Sequence, residues 1–304
     1  MRSLILASTL FSLAISINTL AGDYTPVSEQ YDKLGVVQCP KFLNIRQQPD
    51  TSSTVVGLIE NNGACEIKAA SESWYAIKSG NISGYVKSEY VKTGDEAIII
   101  ADNAAVRKLK TLSLTPIYGQ PTTNSKVWDN ALSGAVYDVT GEDDNWYIID
   151  LDGATGYISK SSDVTLFMGL NTATPTSNLE NIKGQRYTLV KYAMQFLGKP
   201  YVWGGENPYT GIDCSAFVRW CYAHTTEVQL PRVSYEQCYV GDKISSMQMK
   251  PGDLVFYADK TGKVGHVAMY IGNGTIIHAA SSKSGIKLSQ WNYRTPKYIR
   301  RLIE

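Results

Sequence analysis

The chain has 304 residues, which is long enough for two or three compact domains. Its 29 basic and 28 acidic residues nearly balance, so it lacks the global basic bias expected of a protein whose main partner is nucleic acid. Hydrophobic residues make up 43% and charged residues 19% of the chain, as in ordinary globular proteins.

The first 21 residues predict a secretory signal peptide. Arg2 gives a short basic start, an apolar run follows from Leu4 to Ile17, and small residues precede a cleavage site after Ala21. The alternative is a membrane anchor, but the run is short for a bilayer span and contains several Ser and Thr. We therefore expect a secreted protein, extracellular or periplasmic, without a stable membrane anchor.

The cysteine count is odd. Five cysteines leave at least one thiol without a partner in the same chain. Cys39 and Cys65 fall in one early segment and could pair, although spacing alone does not show that their geometry permits a disulfide. In a secreted protein of this size, an unpaired cysteine favours a functional explanation.

Two segments of the chain are similar to each other at a constant offset, which predicts a duplicated unit. The stretch QQPDTSSTVVGLI, from Gln47, aligns with GQPTTNSKVWDNA, from Gly119. Further along, Trp74-Tyr75 aligns with Trp146-Tyr147, and Gly84-Tyr85 aligns with Gly156-Tyr157. Each unit consists of short alternating apolar runs separated by Gly, Asn and Asp turns, a pattern typical of a small β-barrel or sandwich.

The first unit resembles a bacterial SH3-type (SH3b) domain over residues 34–93, through LNIRQQPDTSSTVVGLIENNG and WYAIKSGNISGYVKSEYV. The second, over 98–167, keeps the Trp-Tyr and Gly-Tyr signatures but has LTPIYGQP in place of the LNIR stretch. The resemblance implies binding to stem or cross-bridge peptides of peptidoglycan. The alternatives are that the barrels are structural spacers, or that one of them forms a wall of an active site.

Residues 168–180 are rich in Thr, Asn and Ser and predict a linker. The following segment YTLVKYAMQFLGKP predicts a helix with one apolar face that ends at Gly198 and Pro200. A helix around Cys214 and a strand-rich tail come next. Helices followed by an antiparallel sheet predict an α+β domain over 181–304.

The stretch GIDCSAFVRW allows two interpretations of one cysteine. Cys214 lies on the apolar stripe of the predicted helix, at helical spacing from Phe217, Val218 and Cys221, which is typical of a buried core residue. With Asp213 as N-cap, however, Cys214 is in the first turn, where unpaired N–H groups and the helix dipole favour a thiolate nucleophile. Cys221 lies two turns further along, lacks that field, and is expected to be inert.

A cysteine nucleophile needs a base, and the chain has three histidines, at positions 224, 266 and 278. His224 is on or just past the Cys214 helix and is expected to be a surface or helix-end residue. His266 and His278 lie in VGHVAMYIGNGTIIHAA, which predicts a β-hairpin. These two are therefore the candidates for the base.

The loop of this hairpin decides whether the two rings can cooperate. A two-residue loop, Asn273-Gly274, would direct His266 and His278 to opposite faces of the hairpin. A three-residue loop, Gly272–Gly274, with a bulge at its last glycine, would place Ala268 opposite His278 and both rings on one face. A catalytic pair requires the second register.

The C-terminal region resembles the NlpC/P60 family of papain-like cysteine peptidases. The matching blocks, in chain order, are GKPYVWGGENPYTGIDCSAFVRWCY, LPRVSYEQ, PGDLVFY, VGHVAMYIGNGTIIHAA and YRTPKYIRRLI. The resemblance implies that Cys214 is the nucleophile. It implies that His266 is the general base and later the acid, and that His278 is the polar residue that orients His266.

The same resemblance implies further site residues. Tyr201 corresponds to a tyrosine near the oxyanion, and Asp213 and Ser215 to positions that shape the site and, in some members, hold a free amine of the substrate. Trp203 is a candidate substrate contact. The structural alternative is that Tyr201 and Trp203 are core aromatics.

The VSYEQ segment has a structural interpretation of its own. It fits a capping box in which Ser234 is the N-cap and Gln237 the third helical residue. Both residues are therefore predicted to be structural rather than catalytic.

The implied reaction is hydrolysis, through a thioester, of the bond between γ-linked D-glutamate and the diamino acid of a peptidoglycan stem peptide. In relatives with N-terminal SH3b domains a barrel often narrows the groove, which favours stems with a free N-terminal L-Ala, and Asp213 could then pair with the amine. No metal or other cofactor is implied, because no CxxC or HExxH spacing is present. The alternatives are a cysteine amidohydrolase or acyltransferase acting on another amide bond, and a non-catalytic wall-binding protein. The sequence does not decide the diamino acid or the oligomeric state.

Overall fold

The computed structural model describes residues 24–151, 153–176 and 182–304. The predicted signal peptide lies outside these residues. Within them, no helix has the length and apolar character needed to cross a membrane. The described chain forms two β-barrels followed by a domain in which helices pack on one antiparallel sheet.

The first barrel is built from antiparallel strands in the order β3-β2-β6-β5-β4-β1-β7. Its strands are β1 (Leu34–Val37), β2 (Phe42–Arg46), β3 (Val55–Glu60), β4 (Ala64–Ala70), β5 (Trp74–Ser79), β6 (Ile82–Lys87) and β7 (Val91–Thr93). Alternation directs every second side chain inward; in β2, for example, Leu43 and Ile45 are buried while Asn44 is exposed. The barrel interior is filled by aliphatic side chains, among them Val37, Ile59, Ile67, Ile77 and Val86.

An 11-residue helix, α1 (Gly94–Ala104), connects the two barrels. Its small residues Ala97 and Ala101, one turn apart, are fully buried and pack in a cluster with Leu34 and Val36 of β1. The predicted boundary of the second barrel, residue 98, lies inside this helix. The helix was missed because three consecutive isoleucines obscure its helical period.

The second barrel repeats the first with antiparallel strands in the order β10-β9-β13-β12-β11-β8-β14. Its strands are β8 (Val106–Thr111), β9 (Thr115–Tyr118), β10 (Val127–Ala131), β11 (Val136–Glu142), β12 (Trp146–Leu151), β13 (Ala154–Ser159) and β14 (Val164–Gly169). Its interior contains Leu109, Ile117, Ile149, Leu151 and Ile158.

Part of the predicted linker, 168–180, forms regular structure. The short strand β15 (Thr174–Pro175) pairs antiparallel with β3 and extends the sheet of the first barrel. On its other side, the Thr275 hydroxyl donates to the Pro175 carbonyl at 3.0 Å, and the Asn273 amide donates to the Thr176 carbonyl at 3.0 Å. This segment is therefore fixed between the first barrel and the third domain.

The third domain is an α+β fold whose sheet has the order β18-β23-β19-β20-β21-β22. Its helices are α2 (Gly184–Met194), α3 (Cys214–Thr225) and α4 (Ser234–Gln237). Its strands are β16 (Glu206–Asn207), β17 (Gly211–Ile212), β18 (Asp242–Lys243), β19 (Leu254–Ala258), β20 (Val264–Gly272), β21 (Thr275–Ser281), β22 (Gly285–Gln290) and β23 (Pro296–Arg301). The predicted architecture, two SH3-like barrels followed by an α+β domain, is confirmed.

The two faces of this sheet have different roles. One face is covered by α2 and α3, whose apolar side chains form a single core with Val267, Met269 and Ile277 of the central strands. Residues of opposite parity, including Ala268 and Ile276, pack into a separate cluster on the other face. This second cluster lies beside the side chains of the candidate site.

Candidate active site

Cys214 is the first residue of α3, and Asp213 is the N-cap, as predicted. The Asp213 carboxylate accepts the N–H of Ala216 at 2.8 Å, which satisfies one of the unpaired donors of the first turn. The Cys214 side chain is only 7% exposed. Its sulfur therefore lies at the start of the helix and under protein rather than in water.

Burial raises the pKa of the Cys214 thiol to about 11. The backbone N–H groups of Val267, Ser215 and Cys214 itself lower the pKa, but the loss of hydration outweighs them, and the Asp213 carboxylate opposes the thiolate further. The start of the helix therefore favours the thiolate, as expected, but burial has the larger effect on the pKa of this thiol. The contribution of Val267 places the sulfur against β20, at the residue that follows His266.

Arg232 forms ion pairs and hydrogen bonds with residues at and near the start of α3. It forms a two-point ion pair with Asp213, with distances of 2.7 Å and 3.0 Å, and donates to the Ser215 hydroxyl at 3.1 Å and to the Glu206 carboxylate at 2.7 Å. Both Asp213 oxygens are thereby engaged, and a substrate amine would have to share them with this guanidinium. The role of Arg232 was not predicted, although a buried carboxylate is usually paired with a cation and Arg232 lies in the LPRVSYEQ block.

Tyr201 lies beside Cys214. A parallel bridge joins it to Ile212, two residues before Cys214, and its side chain is half-buried. Burial, and then the proximity of the Cys214 thiol and the Asp213 carboxylate, raise the pKa of Tyr201 to about 12. Its hydroxyl therefore stays protonated at neutral pH and can donate a hydrogen bond.

Trp203 is 83% exposed, so its interpretation as a core aromatic is wrong. Val202 and Tyr209 are also exposed, which makes this loop an apolar surface next to the helix start. The geometry leaves the predicted role of Trp203 as a substrate contact open.

The hairpin that carries the two histidines reaches the required register by a route that was not predicted. Asn273 and Gly274 have φ angles of 52° and 73° and form a two-residue turn, so the predicted three-residue loop is wrong. A β-bulge between Tyr270 and Gly272 then shifts the ladder, so that Met269 faces Ile277. Both imidazoles then lie on one face, where His266 and His278 are in hydrogen-bond contact.

The two imidazoles form part of a hydrogen-bonded series. His266 Nε2 lies 2.8 Å from His278 Nδ1, and His278 Nε2 lies 3.0 Å from Ser289 Oγ. His278 is fully buried, whereas His266 is half-buried. Lys287 lies directly opposite His278 in the β21–β22 ladder, so Ser289 is a diagonal neighbour of His278 on the same face. Sequence reasoning missed Ser289, because its contact depends on the register of a third strand.

Other chemistry-bearing residues lie outside this constellation. His224 is exposed in the last turn of α3, with its ring stacked on Trp220 at 4.4 Å between centroids. Cys221 is fully buried, and burial raises the pKa of its thiol well above the ordinary value. Cys39 and Cys65 are free thiols in the described structure, so the suggested disulfide is not formed.

The predicted capping box at α4 is wrong in its details. Val233, not Ser234, is the N-cap, and Ser234 makes no side-chain cap hydrogen bond. The buried Gln237 amide instead donates to the backbone carbonyls of Ser215 and Pro231, at 3.0 Å and 2.8 Å. Gln237 therefore braces the first turn of α3 rather than its own helix.

The second barrel docks next to the histidine-bearing strands. Trp128 Nε1 donates to the Ala258 carbonyl at 3.1 Å, and the buried Asp129 carboxylate accepts the N–H of Thr295 at 2.9 Å and 3.1 Å. The Arg294 guanidinium lies 4.9 Å from the centre of the Trp128 ring.

Further contacts connect Arg294 to His266 through Tyr257. The guanidinium of Arg294 also lies 5.7 Å from the ring centre of Tyr257, and the Tyr257 ring is 6.0 Å from the His266 ring. The turn between β12 and β13 makes another contact: Gly153 has φ +91°, and a Cβ there would collide with Ser281, which ends β21. The second barrel thus touches the end of β19, which pairs with the His266 strand, and the end of β21, which carries His278.

Family models match the chain in three places. The model of the NlpC/P60 family matches residues 198–302, and two bacterial SH3 domain models match residues 41–92 and 113–162. The chain belongs to the NlpC/P60 family. The three matches follow the order of the two barrels and the α+β domain.

Curated relatives of this NlpC/P60 protein match part of it. The bifunctional muramidase/DL-endopeptidase CwlT of Bacillus subtilis (strain 168) is 41% identical over 117 residues, covering 37% of this chain and 35% of the relative. The gamma-D-glutamyl-L-lysine dipeptidyl-peptidase of Bacillus cereus (strain ATCC 10987 / NRS 248) is 37% identical over 113 residues, covering 36% and 33%. The chain thus spans about a third of the length of these two relatives.

Two solved structures are also similar to parts of this chain. The NlpC/p60 domain of the peptidoglycan hydrolase SagA is 34% identical, covering 38% of this chain and 97% of that domain, with a TM-score of 0.35. An NlpC/P60 family protein from Bacillus cereus ATCC 10987 is 18% identical and covers 89% of this chain and 100% of that one, with a TM-score of 0.37.

Proposed function

We propose that this NlpC/P60 protein is a secreted peptidoglycan hydrolase. In this proposal it is a cysteine endopeptidase that cuts the γ-D-glutamyl–diamino acid bond of cell-wall stem peptides. The observation that carries the proposal is the arrangement of Cys214 at the start of α3, packed against β20 at Val267, with the hydrogen-bonded pair His266 and His278 in the same sheet. The names of the relatives, a DL-endopeptidase and a γ-D-glutamyl-L-lysine peptidase, support this class of bond.

The raised thiol pKa determines how the nucleophile is activated. Burial raises the pKa of the Cys214 thiol to about 11, so the nucleophile needs a base that accepts its proton. His266 takes that proton while the sulfur bonds to the carbonyl carbon and the carbonyl oxygen becomes an oxyanion. The backbone N–H groups at the start of α3 and the hydroxyl of Tyr201 stabilise the oxyanion.

The remaining steps reverse the proton transfer. The protonated His266 gives its proton to the nitrogen of the diamino acid, the carbon–nitrogen bond breaks, and a thioester on Cys214 remains. Water then loses a proton to His266 and attacks the thioester. The carbon–sulfur bond breaks, His266 returns its proton to the Cys214 sulfur, and the D-glutamyl carboxylic acid leaves and ionises in water.

The barrels could bind peptides, act as structural spacers or form a wall of the active site. For the second barrel, the contacts favour the role of an active-site wall. Its Trp128 and Asp129 hold Ala258 and Thr295, and its β12–β13 turn meets Ser281, so it flanks the strands that carry the imidazoles. A wall at this side would limit the substrate to trimmed stem peptides, those with a free N-terminal L-Ala. The amine would then approach the anionic cluster of Asp213 and Glu206, both already bonded to Arg232.

Mass spectrometry of digested stem peptides tests the proposal, with Cys214→Ala and Cys221→Ala as matched variants on one helix. Wild type and Cys221→Ala should both release fragments that end in D-Glu or its amide, and Cys214→Ala should release none. Unchanged peptides with wild type, together with retained binding to cell walls, would favour the non-catalytic alternative. Products from another amide bond would favour a different amidohydrolase or an acyltransferase.

A further inference from the structure

The contacts of His278 constrain where the protons of both imidazoles lie. A neutral imidazole has one N–H donor and one bare acceptor nitrogen, so each hydrogen bond fixes the role of the opposite nitrogen. In the proposed reaction, the His266 nitrogen that takes the thiol proton must be bare. Its other nitrogen, Nε2, then carries a proton and donates to His278 Nδ1 at 2.8 Å.

The same reasoning extends by one residue. Because His278 Nδ1 accepts from His266, the proton of neutral His278 must be on Nε2, which faces the Ser289 hydroxyl at 3.0 Å. A hydroxyl oxygen can accept this bond while its own hydrogen donates elsewhere. His278 is fully buried, so water cannot replace the acceptor without entering the protein.

We infer that Ser289 is a positioning residue for the reaction, because its hydroxyl holds His278 in the tautomer that keeps His266 able to accept a proton. The inference rests on the proposed function, since it concerns the base of that same site. Ser289 does not touch the reacting atoms and acts through His278.

Removing the hydroxyl has a defined consequence. In Ser289→Ala, the Nε2–H of His278 loses the Ser289 hydroxyl as its acceptor. The tautomer of His278 with its proton on Nδ1 then becomes more favourable, because that proton can be donated to His266. The Nε2 of His266 then becomes an acceptor, and its proton moves to the nitrogen that should receive the thiol proton. The enzyme would bind substrate as before but would lack a competent base in a fraction of its molecules.

The experiment compares Ser289→Ala with Ser289→Thr, which restores a hydroxyl on a residue suited to a strand, and with Ser284→Ala as the matched control. Ser284 lies in the neighbouring β21–β22 turn, and its hydroxyl contacts Ser281 instead. We expect Ser289→Ala to lower kcat on the order of 10-fold, by analogy with outer partners of metal-bound histidines, with KM changed less than about 2-fold. Ser289→Thr should recover most of the rate, and Ser284→Ala should match the wild type.

A second readout does not depend on activity. Nitrogen NMR of the imidazoles should show both His266 and His278 protonated on Nε2 in the wild type and Ser289→Thr, and a mixture of tautomers in Ser289→Ala. Unaltered tautomers, or unaltered kcat, in a folded Ser289→Ala would overturn the inference. If Ser289→Ala does not fold, the wild-type spectrum still tests the inference. A wild-type His278 that is protonated on Nδ1 would overturn the inference. Failure of the proposed function would appear differently, as a wild-type protein with the expected tautomers that leaves stem peptides uncut.

Discussion

The two barrels present the same strand to different neighbours. Val56 and Gly57 on β3 of the first barrel align with Trp128 and Asp129 on β10 of the second. In the first barrel, this strand pairs with β15, and the Val56 carbonyl accepts the N–H of Thr176 at 3.1 Å. In the second barrel, the two larger side chains reach the third domain instead.

The difference shows which part of a duplicated unit can diverge freely. Both barrels keep aliphatic interiors in the same strands, so the fold tolerates little change there. Gly57 leaves room for neighbouring side chains, since a Cβ there would press on those of Ile82 and Ile45. At the aligned position, Asp129 adds a buried acceptor for another domain. Two substitutions on one edge strand thus separate a barrel that holds a connecting segment from a barrel that flanks the site.

The largest effect is expected from exchanging these residues. Trp128→Val with Asp129→Gly gives the second barrel the residues of the first, and leaves the N–H of Thr295 without its acceptor. Each lost hydrogen bond of this kind costs about 1–3 kcal/mol, which should release the barrel from the third domain. We expect kcat/KM on stem peptides to fall on the order of 10-fold, since the contact of Trp128 with Arg294, which lies against Tyr257, is lost with it.

The matched control is Val56→Ala in the first barrel. This change shortens the side chain aligned with Trp128 but leaves the contacts between the second barrel and the third domain intact. It should leave kcat/KM unchanged. If the exchanged protein keeps full activity, the second barrel is a spacer and not part of the catalytic unit.

The site residues show how far local sequence determines such a structure. The Asp213 cap and the position of Cys214 were predictable, because both depend on residues within one turn of helix. The face of His266 and His278 was predicted correctly, but from a wrong loop, because the bulge that sets the register depends on how the whole strand β20 packs.

Contacts between distant segments were not predictable in the same way. Arg232 reaches Asp213 across 19 residues, and Ser289 reaches His278 across 11, and neither separation has a periodic signature. The docking of Trp128 on Ala258 spans 130 residues. The repeat alignment did show that Trp128 replaces a valine, but not that an interface explains the change. Burial likewise outweighs the effect of the helix end on the pKa of Cys214, and it was not predictable because the depth of a side chain is a property of the whole fold.

A smaller effect is expected from weakening the contact between the third domain and β15, the short strand that pairs with the first barrel. Thr275→Val removes the hydroxyl that donates to the Pro175 carbonyl, at a cost of about 1 kcal/mol. Local opening of β15 should then become roughly 5-fold more frequent, because about 1.4 kcal/mol corresponds to a factor of ten. Limited proteolysis should cut faster near residue 175, while kcat stays unchanged. A simultaneous loss of kcat would mean that the first barrel, too, belongs to the catalytic unit.

The smallest effect concerns an ion cluster that distinguishes the second barrel from the first. Hydrogen bonds from Arg107 and then Lys160 lower the pKa of Glu142 to about 2, whereas the aligned residue of the first barrel is Ala70. Because the folded pKa lies below the ordinary 4.5, the cluster stabilises the protein above about pH 4.5, and this stabilisation is lost as the pH falls towards 2. Screening limits it to about 1 kcal/mol. Glu142→Gln should therefore lower Tm by a few degrees at pH 6 and by almost nothing at the lowest pH where the protein remains folded. A difference in Tm that stays constant across this range would show that Glu142 acts through packing and not through its charge.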